Sequence, residues 1–179
     1  MPTRSASDVA RRCLCLELLL QRLGLEIDED DPQPDRDAVR VAWLSRTADL
    51  GVEGELSADE RALLERPVGD LTEAECDDIE ARTIRGLALL WALGRLPTPP
   101  GAAMLGEATA LVGDHGVLGD GSIPAAKATV ASAALRPDSE LEAALGAATK
   151  TRDDSFLGGP EHMVAALVVE ALSSLLARA

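Results

Sequence analysis

One stretch, Thr72–Gly94, constrains the fold of this 179-residue chain more than any other. Thr72 and Glu75 have the T-x-x-E spacing of a capping box, in which the hydroxyl and the carboxylate each bind a backbone N–H group at the start of a helix. From Leu87 to Leu93 the sequence is apolar all the way round, and a helix without a polar face has to be buried on every side. We therefore predict an all-α fold, a helical bundle organised around this buried central helix.

Two residues inside the central helix predict tight packing of its second half. Gly86 stands in mid-helix, where glycine costs about 1 kcal/mol relative to alanine, and we interpret it as the place where another helix crosses closely. Trp91 is expected to be a core residue, so its replacement by alanine would cost about 3–5 kcal/mol. Gly94 is expected to end the helix in the left-handed conformation.

The rest of the chain repeats these helix signals and lacks the period-two alternation of strands. Ser57 with Glu60 and Ser139 with Glu142 have the capping-box spacing again. We predict a single domain over residues 1–179 with about eight helices. The first helix is expected to begin at a cap formed by Ser5 or Ser7 and to run to about Leu23. The other expected helices are Asp35–Leu50, Ser57–Arg66, Thr72–Gly94, Gly101–Val112, Ser122–Leu135, Ser139–Lys150 and Pro160–Arg178.

Apolar residues at helical spacing define the expected inner faces of two of these helices. They are Val39, Ala42, Trp43 and Leu50 in the second helix, and Val164, Val168, Leu172 and Leu175 in the last. The second set covers an arc too wide for a tail in solvent, so we expect the last helix to pack against the body of the protein or a twin subunit.

The run Leu89–Gly94, with the prolines that follow it at Pro97 and Pro99, resembles a helix of a bacterial family called domain of unknown function 4272. Upstream, Ala42–Leu44 and Leu56–Glu60 resemble the same family, and the similarity covers roughly the first hundred residues. It implies a helical fold and no known function. In that family Trp-Arg-x-Glu commonly precedes the Leu-rich run, whereas here only the arginine matches, at Arg82.

Composition excludes several classes of function. The net charge of −14 would repel a phosphate backbone, and aromatic residues amount to only 2%, too few for a surface that stacks on nucleic-acid bases. The apolar runs are shorter than the ~18 residues of a membrane-spanning helix. We therefore expect neither nucleic acid nor membrane among the partners. Acidity of this kind usually keeps a protein soluble, and a basic protein partner is the more specific alternative.

Cysteine and histidine usage gives no metal-site pattern. Cys13, Cys15, Cys76, His115 and His162 lack the C-x-x-C and H-E-x-x-H spacings of zinc sites, so we expect no metal. No phosphate-binding loop or dinucleotide fingerprint occurs either, and no cofactor is expected. The first apolar run is interrupted by an acid and lacks a cleavage site, so the cytoplasm, with reduced thiols, is the expected location.

A glycine-rich segment, Gly113–Gly121, is the first candidate for a ligand site. Its glycines would let backbone donors approach a ligand, and Asp114, His115 and Asp120 would contribute side chains. His115 would titrate near neutrality. A purely structural interpretation makes Gly113 the residue that ends a helix and the last two residues of the segment a turn pair.

Arg82 and Arg85 are the second candidate, because they lie three residues apart on one face of the central helix. They could clamp a carboxylate or a phosphate. The alternative is that both pair with the many acids of the chain itself.

The function that these observations favour is that of a non-enzymatic cytoplasmic protein acting through protein contacts, with homodimerisation and a basic protein partner both left open. The alternative is a small-molecule binder or hydrolase that uses the Gly113–Gly121 loop.

Overall fold

The computed structural model describes residues 5–27, 30–119 and 121–177, and within these ranges the chain forms helices and no strand. The predicted all-α class is confirmed. The helices are α1 (Ala6–Ile27), α2 (Gln33–Leu50), α3 (Ala58–Glu65), α4 (Glu73–Ala92), a 3₁₀ helix (Ala102–Glu107), α5 (Ala108–His115), α6 (Ile123–Ala131), α7 (Asp138–Asp154) and α8 (Pro160–Leu176).

Helices α1 and α4 pack against each other at the centre of the core. Gly86 is their crossing point, because a Cβ atom there would lie 3.5 Å from the Leu16 side chain. Trp91 is buried, as predicted. The prediction of one central helix is not confirmed, since α1 buries an equally long run from Val9 to Leu23.

Helix α8 covers α4 and pairs with α7. It buries Val164, Val168 and Leu172 against the body of the protein, as its apolar face predicted, while Leu175 is only partly buried. The predicted end of this helix at Arg178 lies outside the described residues. No described helix is both long enough and apolar enough to cross a membrane.

Two of the three predicted capping boxes are formed. Ser57 and Thr72 accept from the backbone N–H groups of Glu60 and Glu75, whose carboxylates accept in return. The third prediction is wrong, because α7 begins at Asp138, after Pro137, with no side-chain cap. Ser139 lies inside the first turn, two residues past the N-cap Pro137, so its hydroxyl cannot cap the helix.

The predicted ends of α1 and α6 are wrong, and at the end of α1 a side chain from the next helix supplies the reason. Helix α1 continues past Gly24 to Ile27, because the Arg36 guanidinium donates to the carbonyls of Leu25 and Glu26 and satisfies its last turn. Helix α6 ends at Ala131 instead of the predicted Leu135.

The inner face of α2 also differs from the prediction. Val39 is 44% exposed and Ala42 is exposed. The inward position is taken by Arg40, which donates to the carbonyls of Leu64 and Glu65 at the end of α3. A buried arginine that satisfies helix carbonyls does not follow the apolar pattern from which the inner face was predicted.

Candidate functional site

The glycine-rich segment begins later than predicted. Gly113, Asp114 and His115 belong to α5, which ends at His115 with Gly116 as its C-cap. Gly113 is therefore not the residue that ends this helix, and the left-handed glycines of the segment are Gly119 and Gly121. The loop proper runs over residues 116–121, of which Asp120 lies outside the described residues.

Glu17 in α1 binds the backbone of this loop. The Glu17 carboxylate is 4% exposed and accepts from the backbone N–H groups of Val117 at 2.6 Å and Leu118 at 2.7 Å. Gly116 makes this approach possible, because a Cβ atom there would lie 2.8 Å from Glu17 Cδ and 2.5 Å from the carbonyl oxygen of Val112. The glycine is required by this close contact of backbone and carboxylate.

Arg95 binds the carbonyl groups at the start of the same loop. Its guanidinium donates to the carbonyl oxygens of His115 at 2.5 Å and Gly116 at 2.9 Å. The loop backbone is thus bound through its N–H groups by an acid and through its carbonyls by a base. These four bonds satisfy buried backbone groups that an irregular segment would otherwise leave unpaired.

Burial raises the pKa of Glu17 to about 7, although the N–H bonds from Leu118 and Val117 and the charge of Arg95 act in the opposite direction. No described Lys, Arg or His nitrogen lies within 4.0 Å of this carboxylate. Glu17 is therefore a buried acid whose partners are neutral N–H groups, and it exchanges its proton near neutral pH.

A cavity of about 370 Å³ lies in front of Glu17, between α1, α2, α5 and the loop. We call it the Glu17 cavity. Asp114 is exposed and His115 half-buried, and neither side chain lines it. Its walls are formed by Glu17, Leu20, Gln21, Gly24, Leu25, Trp43, Thr109, Val112, Gly113, Leu118 and Gly119.

A second concavity, of about 400 Å³, adjoins the first and opens between α1, α4, α5, α8 and the 3₁₀ helix. Leu20, Gly24 and Thr109 border both spaces. Its walls are mostly apolar and its charged residues are Asp77 and Glu80, so we call it the acid-rimmed groove. Its other lining residues are Leu23, Ile27, Ala81, Thr83, Ile84, Leu105, Ala108, Met163 and Leu167.

Arg82 and Arg85 line a separate recess of about 200 Å³. Arg82 pairs with Asp78 and, at 3.0 Å, with the buried Glu60, while Arg85 pairs with Glu170 at 2.9 Å. Both arginines therefore have intramolecular carboxylate partners, which is the alternative to a ligand clamp.

The candidate residues thus fall into two places. Arg82 and Arg85 lie together beside α8, whereas Asp114 and His115 lie at the end of α5. Glu17 was missed as a site residue, although a single acid within a leucine run is a recognisable signal. The acids of the groove were missed because nothing in the sequence indicates which helices converge on them.

The thiols are protected in this fold. Burial raises the pKa of Cys15 to about 12 and that of Cys13 well above its usual value. Burial and the charges of Glu26 and Asp77 also raise the pKa of Cys76. Among the described residues, no group of three or more His, Cys, Asp or Glu side chains could hold a metal ion.

A thiol-specific reagent is expected to modify Cys76 slowly in the native protein, because Cys76 is half-buried while Cys13 and Cys15 are buried. In urea, all three cysteines should react at similar rates, because their thiol groups are then exposed to solvent. Mass spectrometry after timed labelling checks this order. Labelling of Cys13 before Cys76 in buffer would contradict the burial of α1.

No family model, no curated protein and no solved structure matches this chain. The similarity of its first part to domain of unknown function 4272 therefore stays a prediction.

Proposed function

We propose that this protein is a non-enzymatic binding protein, and that its acid-rimmed groove receives the apolar side chains of a basic amphipathic helix from a partner protein. The observation that supports this most is the composition of the groove. Its walls are apolar, its charged lining residues are Asp77 and Glu80, and none of its lining residues is Lys or Arg.

The apolar walls supply the contacts that a helix needs. Ile84 and Leu23 form part of the lining, and both are buried, whereas Met163 is 45% and Ile27 69% exposed at the mouth. Large exposed apolar side chains at the edge of a concave apolar surface are typical of a protein interaction site. Amphipathic helices bind such grooves through side chains at positions i, i+3 or i+4, and i+7.

Charge supports a basic occupant. Asp77 and Glu80 are exposed on α4, and the whole chain carries a net charge of −14. A Lys- or Arg-bearing helix would be attracted at a distance and oriented by these acids on arrival. A second copy of this chain would be repelled at long range by the same net charge, so a basic protein is the occupant that we choose.

Two synthetic peptides test the proposal. Both have the same leucine face, one with lysines and the other with glutamates on the polar face. Fluorescence anisotropy should show binding of the lysine peptide, weakened as salt screens the rim, and at least about tenfold weaker binding of the glutamate peptide. Equal binding of both peptides, or of neither, would refute the proposal.

Ala81→Arg is the variant that localises the binding. Ala81 lines the groove, so an arginine there adds bulk and a like charge, and it should weaken the lysine peptide about tenfold or more. Ala62→Arg is the matched control, because it adds the same charge at an exposed position of α3. Equal losses in both variants would mean that net charge alone governs binding.

Self-association is the competing outcome. If the protein without peptide dimerises with rising concentration, and Ala81→Arg abolishes the dimer, the occupant of the groove is a second copy. That result would replace the basic partner by the homodimer. A cytoplasmic location remains part of the proposal, as expected from the interrupted first apolar run, and the thiols would then be reduced.

A further inference from the structure

We propose that the Glu17 cavity is a second site beside the acid-rimmed groove, which binds a small organic cation whose ammonium group pairs with the Glu17 carboxylate. The apolar part of the ligand would contact Leu20, Leu25 and Val112, which line the same space. This inference goes beyond the proposed function, because it concerns a different cavity and a small molecule.

The Glu17 carboxylate is buried and can still accept further hydrogen bonds. Each Glu17 oxygen accepts one backbone N–H group, at 2.6 and 2.7 Å, and each retains further acceptor capacity. Glu17 is more than nine-tenths buried and also lines the cavity. A buried charge is stable only when it has an opposite charge and hydrogen bonds. The described residues supply the hydrogen bonds, while the charge of Arg95 acts on Glu17 from beyond 4.0 Å. An ammonium ligand would supply the direct cationic partner.

The protein itself holds the Glu17 carboxylate in place before any ligand arrives. Gly116 packs directly on Glu17, and Arg95 donates to the His115 and Gly116 carbonyls. The acid can therefore not rotate away without breaking bonds to two backbone N–H groups. Such preorganisation reduces the cost of ordering a site on binding.

The residues that line the cavity favour a cation over an anion. Its neutral polar residues are Gln21 and Thr109, and no Lys or Arg lines the space, so an anion would find no counter-charge. Trp43 adds an aromatic wall, one face of which the Arg46 guanidinium covers at 4.5 Å from the ring centroid, so the charge pairing is assigned to Glu17 and not to this ring. The volume of about 370 Å³ is within the range of small-molecule sites, which are mostly apolar with few polar groups.

Three probes of equal chain length separate charge from apolar contact: hexylamine, hexanol and hexanoate. The chain has two tryptophans, and only Trp43 lines the cavity, so its indole N–H resonance reports binding while that of Trp91 serves as the internal reference. Trp43→Phe assigns the two signals. At pH 8, hexylamine should shift the Trp43 signal and bind at least tenfold more tightly than hexanol, and hexanoate should cause no shift.

Two variants localise the site. Glu17→Gln should bring the affinity for hexylamine down to that for hexanol, while Glu107→Gln, which removes an exposed charge, should not. Gly113→Leu should abolish binding of hexylamine and of hexanol. Gly113 lines the cavity and has open space beside it, so the leucine side chain would occupy the cavity. Gly146→Leu is its matched control, since Gly146 is also a helical glycine with nothing within 4 Å of an added Cβ.

Gly113→Leu also keeps the test decisive if Glu17→Gln fails to fold, because replacing a helical glycine favours the helix. The proposal is overturned if hexylamine and hexanol bind equally, if Glu17→Gln binds hexylamine as the unmodified chain does, or if Gly113→Leu and Gly146→Leu behave alike. The groove variant Ala81→Arg, which affects peptide binding, should leave the hexylamine shift of Trp43 in place, so the two proposals can fail separately.

Discussion

Glu60→Gln is expected to lower the free energy of unfolding by about 3–5 kcal/mol, the loss typical of breaking a buried ion pair by changing one partner. The Glu60 side chain is fully buried and pairs with Arg12 at 2.5 Å and with Arg82 at 3.0 Å. It thereby connects α1, α3 and α4. Glutamine keeps the shape of the side chain and can still complete the capping box with Ser57, so the loss reports the charge pairing.

Urea denaturation checks this value, with Glu65→Gln as the control. Glu65 is exposed on the same helix, and its replacement should change stability by less than about 0.5 kcal/mol. Similar midpoints for Glu60→Gln and the unmodified chain would contradict the role of Glu60.

Burial acts to raise the pKa of Glu60, but the hydrogen bonds from Arg12 and Ser57 outweigh burial and lower the pKa to about 2. The stability that Glu60 contributes is therefore lost only as the pH falls below 4.5 towards 2.

The second large effect concerns the pH dependence of stability between pH 4.5 and pH 7. Because the pKa of Glu17 rises from 4.5 to about 7 on folding, the folded state holds this proton more tightly than the unfolded chain. The stabilisation is therefore complete below pH 4.5 and is lost as the pH rises through 7. The total amounts to about 3 kcal/mol, from 1.36 kcal/mol per pKa unit.

Denaturation midpoints at several pH values between 4 and 8 test this prediction. The difference between the unmodified chain and Glu17→Gln isolates the acid, since self-repulsion of the net charge affects both in nearly the same way. Glu107→Gln, with its acid exposed, should follow the unmodified chain throughout. If Glu17→Gln has the same pH profile as the unmodified chain, Glu17 is not the buried acid described above.

Local signals predicted much of the fold. The caps at Ser57 and Thr72, and the ends at Gly51 and Gly94, depend on residues within one turn of each other. Gly24 looked equally suited to end a helix, but its place in α1 depends on Arg36 from the next helix, which binds the last carbonyls of α1. Distinguishing Gly24 from Gly51 requires the tertiary structure.

The candidate site was less predictable than the fold, because its contacts are remote in sequence. Glu17 binds the N–H groups of Val117 and Leu118, on the far side of five intervening helical segments. The pattern predicted a ligand loop at Gly113–Gly121, whereas the structure uses Gly116 to approach Glu17. For Arg82, the sequence left a clamp and an intramolecular pair open, and only the position of Glu60 decides that it is paired.

Methyl nuclear magnetic resonance during titration with the lysine-faced peptide tests the central claim most directly, since it reports where a basic helix binds. We expect signals of residues that line only the groove to shift, among them Ile84, Leu105, Met163 and Leu167. Other exposed apolar side chains, Leu157 at 77% and Val41 at 53% exposure, serve as references and should not shift. If only Leu157 or Val41 shifts and the signals of the groove stay unchanged, the basic helix does not bind in the acid-rimmed groove.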